Sequence, residues 1–112
     1  MCIFCDIASK KIPSKMVLEE DDFVAFHDTR PVAPTHVLIV PKRHIIGLAQ
    51  ATPEDHAVLG RILAATKDVA EKTGILESGF RVVVNSGPDA GQSVYHLHVH
   101  VIGGRAMSWP PG

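Results

Sequence analysis

The sequence predicts an α+β fold with an antiparallel sheet. Three observations carry that expectation: strand-like runs stand towards both ends of the chain around one long helical segment, β-α-β alternation is absent, and a histidine-rich run near the C-terminus alternates strictly with apolar residues. At 112 residues, with 46% hydrophobic and 21% charged residues, the chain suits a single domain over 1–112. A formal charge of −1 supplies no basic field for a nucleic-acid polymer. No apolar run approaches the roughly 18 residues of a membrane span, and no signal peptide opens the chain, so a cytoplasmic protein with no membrane partner is expected.

Cys2-Ile3-Phe4-Cys5 holds both cysteines. A disulfide here would close too short a loop to stabilise a fold. Three readings stand side by side: a redox pair, which wants a strand before it; thiols flanking an apolar plug of Ile3 and Phe4; or half of a zinc site that needs two more thiolates or imidazoles. Asp6-Ile7-Ala8-Ser9 continues as a short helical turn. Met16–Glu19 and Phe23–His27 read as strands joined through Glu20-Asp21-Asp22. Asp28-Thr29-Arg30-Pro31 then leaves the sheet, and Asp28 suits either ribose hydroxyls or the start of a turn.

His36–Val40 is the most apolar, β-branched run, a central strand that Pro41 ends. His36 reads as a hydrogen-bonded structural histidine. Lys42 and Arg43 form a basic pair, either a solvated loop or an attraction for phosphate. Thr52-Pro53-Glu54-Asp55 is a helix start, with a cap, a proline at the first position and two acids at the positive end of the dipole. Val58, Leu59, Ile62, Leu63, Thr66, Val69 and Ala70 recur as one buried stripe, and Gly74 supplies the stop. Phe80–Val84 is the next strand. It runs into Asn85–Ser93, a Gly-, Ser- and Asn-rich loop without the ending of a P-loop. That loop is either a plain hairpin connection or an anion cradle of backbone N–H groups.

Val94 to Ile102 completes the sheet. On a strand, His96, His98 and His100 share one face about 7 Å apart, while Tyr95, Leu97, Val99 and Val101 enter a core on the other. Imidazole can act as nucleophile, acid, base or metal ligand near neutral pH. A phosphate-cradling loop beside such a row suggests phosphoryl or nucleotidyl transfer. Ile7, Phe26 and Val37 are expected to contribute to a base pocket.

The run His96-Leu97-His98-Val99-His100-Val101-Ile102 fits a His-φ-His-φ-His-φ-φ signature, φ being apolar. With Gly91-Gln92-Ser93-Val94-Tyr95 and the tail from Gly103-Gly104-Arg105 to Trp109-Pro110-Pro111-Gly112, the chain from about Ile3 onward resembles the histidine triad (HIT) superfamily, in its nucleotide-binding branch of purine nucleoside phosphoramidases. The resemblance implies a HIT-like fold: a five-stranded antiparallel sheet with one long and one short helix, dimerising into a ten-stranded sheet whose tails border the active sites. It implies hydrolysis of adenosine 5′-monophosphoramidate-like substrates to AMP or GMP through a covalent nucleotidyl-histidine.

In that scheme His98 is the nucleophile, His100 serves the phosphate or leaving group, His96 orients, His36 stands behind them and Ser93 protonates the amine. Asp28 and Thr29 meet the ribose. Asn85, Gly91, Gln92, Ser93 and Val94 contact the α-phosphate or the leaving group. No cofactor is required for catalysis. Some relatives bind structural zinc through residues matching Cys2, Cys5, His44 and His96, while others lack both cysteines, so the metal stays open. Thr29, where relatives often carry isoleucine, departs from the pattern. A non-catalytic nucleotide- or zinc-binding module and a dinucleoside polyphosphate hydrolase are the competing readings.

Overall fold

The computed structural model describes residues 2–112. In chain order it contains α1 (Ile3–Ala8), β1 (Met16–Glu19), β2 (Phe23–His27), β3 (Thr35–Pro41), α2 (His56–Lys72), β4 (Phe80–Val83) and β5 (Val99–Gly103), with 3-10 turns at Leu48–Gln50 and Pro53–Asp55. The strands form one five-stranded sheet in the order β1-β2-β3-β5-β4. Every neighbouring pair is antiparallel. The expected α+β architecture, with one main helix, is what the chain adopts. Among the described residues, no helix is long and apolar enough to cross a membrane.

The sheet buries both faces, and the period of two sorts its side chains between them. Ala25, Val37, Ile39, Leu97, Val99 and Val101 pack against Ile62, Ala65, Val69 and Ala70 of α2. Val24, Phe26, Leu38 and Val40 point the other way, onto Phe4, Ile7 and Ala8 of α1. This parity corrects the expected base pocket. Val37 lies in the α2 core at 0% exposure, and its neighbour Leu38 faces α1 instead.

The expected helix start is present as the 3-10 turn, in which the Asp55 carboxylate accepts from the Thr52 N–H at 2.9 Å. At the other end the Ile75 N–H donates to the Ala70 carbonyl and Gly74 N–H to that of Glu71, with Gly74 at φ +79°. That is a Schellman termination, and it needs a residue able to sit in the left-handed region. Leu63 departs from the predicted stripe, being 62% exposed. It sits about 100° round the helix from Ile62, at the margin of the buried arc.

The histidine strand is shorter than expected. Its ladder with β3 begins at Ile39↔Val99, so His96 to His98 lie outside the ladder, with the chain bending from Val94 through His96. The reason is local: the Leu97 N–H donates to the Ile45 carbonyl at 2.6 Å, and His98 takes the His96 carbonyl with its own ring. The alternation of faces survives through Leu97. Tyr95 breaks it, at 51% exposure rather than in the core.

Candidate active site and thiol–imidazole centre

A cavity of about 1040 Å3 opens on the α1 face of the sheet. Ile3, Phe4, Ile7 and Phe26 give it apolar walls, Leu38 part of its floor, and Asp28, Thr29, Ser93, Val94, His98 and His100 its polar or reactive side. It thus gathers most of the residues singled out in the sequence. His36 stands behind it and His96 faces away.

The hydrogen bonds assign a tautomer to each imidazole. The Val32 N–H donates to His36 Nδ1 at 3.2 Å, so a neutral His36 carries its proton on Nε2. His36 Nε2 lies 2.8 Å from His100 Nδ1 and 3.5 Å from an Asp28 oxygen, and the shorter contact takes the proton. His100 then bears its own proton on Nε2, a buried atom with no partner among the described residues. His98 Nδ1–H donates to the His96 carbonyl at 2.8 Å, which leaves the lone pair on His98 Nε2. The two rings are 5.1 Å apart between centroids. One face of the site therefore offers a bare ring nitrogen beside an unsatisfied N–H donor.

Electrostatics agree with neutral rings. Burial first, then the neighbouring His98 and His36, pushes His100 down to about 4, against the pull of Asp28. Burial also lowers His36, with Asp28 opposing. A histidine held neutral in the folded state binds fewer protons there than in the unfolded chain, so stability rises with pH across its window. For His100 that window runs from about 4 to its ordinary 6.5, with the full contribution present above it. Denaturant midpoints should accordingly fall between pH 6.5 and 4, by at most about 1.4 kcal/mol per pH unit for each such group. A midpoint that stays level or rises over that range contradicts a His100 held neutral by burial.

Asp28 takes the turn-setting role expected of it and also lines the cavity. Its Oδ1 accepts from the Arg30 N–H at 2.9 Å, which sets the turn, while the carboxylate borders the cavity. Three other expectations need correction. Asn85, Gly91 and Gln92 do not line the cavity. Gln92 is 6% exposed and is a brace: it accepts from the Gly87 N–H and donates to the Ile46 and Val94 carbonyls. The Gly91 and Gln92 N–H groups close the loop's own turn on Pro88 and Gly87. Of the loop residues expected to meet an anion, Ser93 and Val94 line the cavity. Arg43 pairs with Glu54 and Asp55 at 3.5 and 3.3 Å, away from phosphate chemistry.

Sequence reasoning missed Phe4 and Leu38 as cavity residues. The parity of Leu38 with His36 on one strand was the available signal; for Phe4 it was the apolar pair between the cysteines. The Phe4 ring meets His98 edge-on at 5.1 Å and His96 at 6.0 Å.

On the far side of His96 lies a second cluster. Cys2 Sγ is 3.2 Å from His96 Nδ1, and Cys5 Sγ is 3.4 Å from His96 Nδ1 and 3.3 Å from His44 Nδ1. Cys2, Cys5, His44 and His96 thus form a group able to hold a metal ion. His96 Nε2–H donates to the Pro41 carbonyl at 2.8 Å, so its Nδ1 lone pair faces the thiols, the arrangement usual for a ligating histidine. A tetrahedral zinc would set sulfur and nitrogen ligands roughly 3.6 Å apart, so the residues fit with small adjustments. Asp28, His36 and His100 also converge, but their facing nitrogens are bonded to one another.

An α+β sheet presenting alternating imidazoles to an apolar cavity defines the class of a histidine-row protein. The HIT domain family matches residues 9–107, and the chain belongs to that family. It is 50% identical over 112 residues to the adenylylsulfatase HINT1 of Arabidopsis thaliana, covering 98% of this chain and 76% of that one. It is 51% identical over 112 residues to a 14 kDa zinc-binding protein of Zea mays, covering 98% and 87%. A HIT family hydrolase from Legionella pneumophila superposes with a TM-score of 0.96 at 46% identity, over 100% of both chains.

Proposed function

We propose that this protein hydrolyses the P–N bond of purine nucleoside 5′-phosphoramidates, releasing AMP or GMP. The observation that carries the proposal is the pairing of a bare His98 Nε2 with a buried, unpartnered His100 Nε2–H at one cavity wall. The purine lies between Ile7, Phe26 and the Phe4 wall, and the ribose meets Asp28 beside Thr29. His98 Nε2 attacks the α-phosphorus, forming a P–N bond to the ring as the bond to the amine breaks. Ser93 protonates the departing amine, and His100 donates to a phosphate oxygen whose charge grows in the transition state. Water then attacks the nucleotidyl-histidine and returns a proton to Ser93 as the bond from phosphorus to the His98 ring breaks, and the monophosphate is released. Nothing in these steps draws on a metal.

Zinc is the ion proposed for Cys2, Cys5, His44 and His96. Two thiolates and two imidazoles fill a tetrahedral shell, so the ion would brace structure and leave no position for water. The zinc-binding maize relative supports this reading. The proposed assembly is a homodimer joined along β4, an edge strand of the sheet whose Arg81 also lies 5.9 Å over the Trp109 ring.

A second substrate reading follows from the Arabidopsis relative named as an adenylylsulfatase, in which sulfate takes the place of the amine. The same attack by His98 serves both. Incubation with adenosine 5′-phosphoramidate and with adenylyl sulfate, following AMP, tests the proposal. A higher kcat/KM on the phosphoramidate supports the amine; preference for the mixed sulfate anhydride moves the assignment; binding of AMP without turnover of either leaves a nucleotide-sensing module.

A further inference from the structure

Of the two thiols of the metal-binding group, Cys5 lies in α1 and Cys2 is its N-cap, and α1 also supplies one wall of the nucleotide cavity. We propose that the two sites are thermodynamically coupled: an ion held by Cys2, Cys5, His44 and His96 fastens α1 to the sheet and thereby raises affinity for the purine nucleotide. This rests on the nucleotide reading of the cavity given above.

The argument begins with the size of α1. It has 6 residues, far below the roughly 12–15 at which an isolated helix holds its shape, so tertiary contacts must keep it in place. Its buried apolar contacts are those of Phe4, Ile7 and Ala8. Among the described residues, its polar contacts to other elements run through the thiols, from Cys2 to His96 and from Cys5 to His44 and His96. The two histidines belong to the body of the protein. His96 is wholly buried and tied to the Pro41 carbonyl, and His44 follows β3. An ion would therefore have two ligands on each side of the joint.

The cavity wall lies on the same lever. Cys2 and Cys5 bracket Ile3 and Phe4, and Ile3, Phe4 and Ile7 line the cavity. The Phe4 ring spans the two sites, edge-on to His96 on one side and to His98 on the other. Without an ion the nucleotide must itself order α1, and the free energy spent on ordering is lost from binding. The His98 ring is fixed by the His96 carbonyl and not by the thiols, so the coupling acts on affinity before it acts on the chemical step. Linkage makes the effect reciprocal: the nucleotide must tighten the ion by the same factor.

Two titrations on the full chain test this. AMP is titrated into metal-free and zinc-loaded protein by calorimetry, and zinc affinity is read against a competing chelator with and without saturating AMP. The expected result is one common factor in both, within about 5- to 150-fold, the usual range for coupled sites. Cys5→Ser removes one ligand without touching the cavity lining, so zinc at a concentration that saturates wild type should no longer raise its AMP affinity. Equal AMP affinity in both forms, with zinc tightly bound, overturns the coupling. So does loss of amide-exchange protection across the whole sheet in metal-free protein, which would make the ion a requirement for folding and not a local fastening. AMP binding without any zinc binding removes the metal centre and the coupling together. Zinc binding with no AMP binding to either form refutes the nucleotide reading itself.

Discussion

His98→Ala protein should bind AMP and fail to turn over adenosine 5′-phosphoramidate, with kcat/KM lower by at least about 10^3-fold, as expected for loss of a nucleophile. The expectation follows from the hydrogen bonds. His98 spends its Nδ1–H on the His96 carbonyl and keeps a lone pair on Nε2 at the cavity wall. Neither His96 nor His100 can substitute for it. The His96 Nδ1 lone pair faces the thiols, and His100 carries its proton on Nε2, with Nδ1 taken by His36. AMP affinity should survive because the Phe4, Ile7 and Phe26 walls and Asp28 are untouched. A variant that retains wild-type turnover would show that another group attacks phosphorus.

Leu97→Ala should lower the stability of the fold by about 2–5 kcal/mol, the range for a large aliphatic residue deleted from a packed core. Leu97 is 1% exposed and packs among the residues that join the sheet to α2. It also lies between His96 and His98, outside the β5 ladder, where its side chain and the bond from its N–H to Ile45 hold the backbone. The loss should therefore appear twice: in the denaturant midpoint, and in a kcat reduced at temperatures where the variant remains folded. A midpoint within about 0.5 kcal/mol of wild type, the usual range for surface changes, would contradict the packing described.

The sequence made the sheet legible where apolar, β-branched residues run together or alternate strictly with histidines. His36 to Val40 and Val99 to Val101 are such runs. It was misleading where parity had to be fixed without a partner strand, which is why Val37 was expected at the cavity that Leu38 occupies. Tyr95 failed for a related reason: alternation extends only as far as the backbone stays extended, and the chain bends before His96. Leu63 shows the limit of helical periodicity, which marks a stripe but not its edge. The convergence of Cys2 and Cys5 with His44 and His96 was reached through family resemblance. Spacing alone left three readings open, because the contacts span 39 to 94 positions of chain. The direction of the ring protons was not legible at all, since it depends on two backbone groups, the Val32 N–H and the His96 carbonyl, that no motif records.

The most direct test of the central claim is to capture the covalent state. Wild-type protein is mixed with adenosine 5′-phosphoramidate, quenched within the first turnover, digested under conditions that spare P–N bonds, and mapped by mass spectrometry. The account predicts one added adenylyl group on the peptide carrying His96, His98 and His100, with fragmentation placing it on His98. Quenched samples that are already producing AMP with no adduct at any time, or an adduct on a different residue, would contradict it.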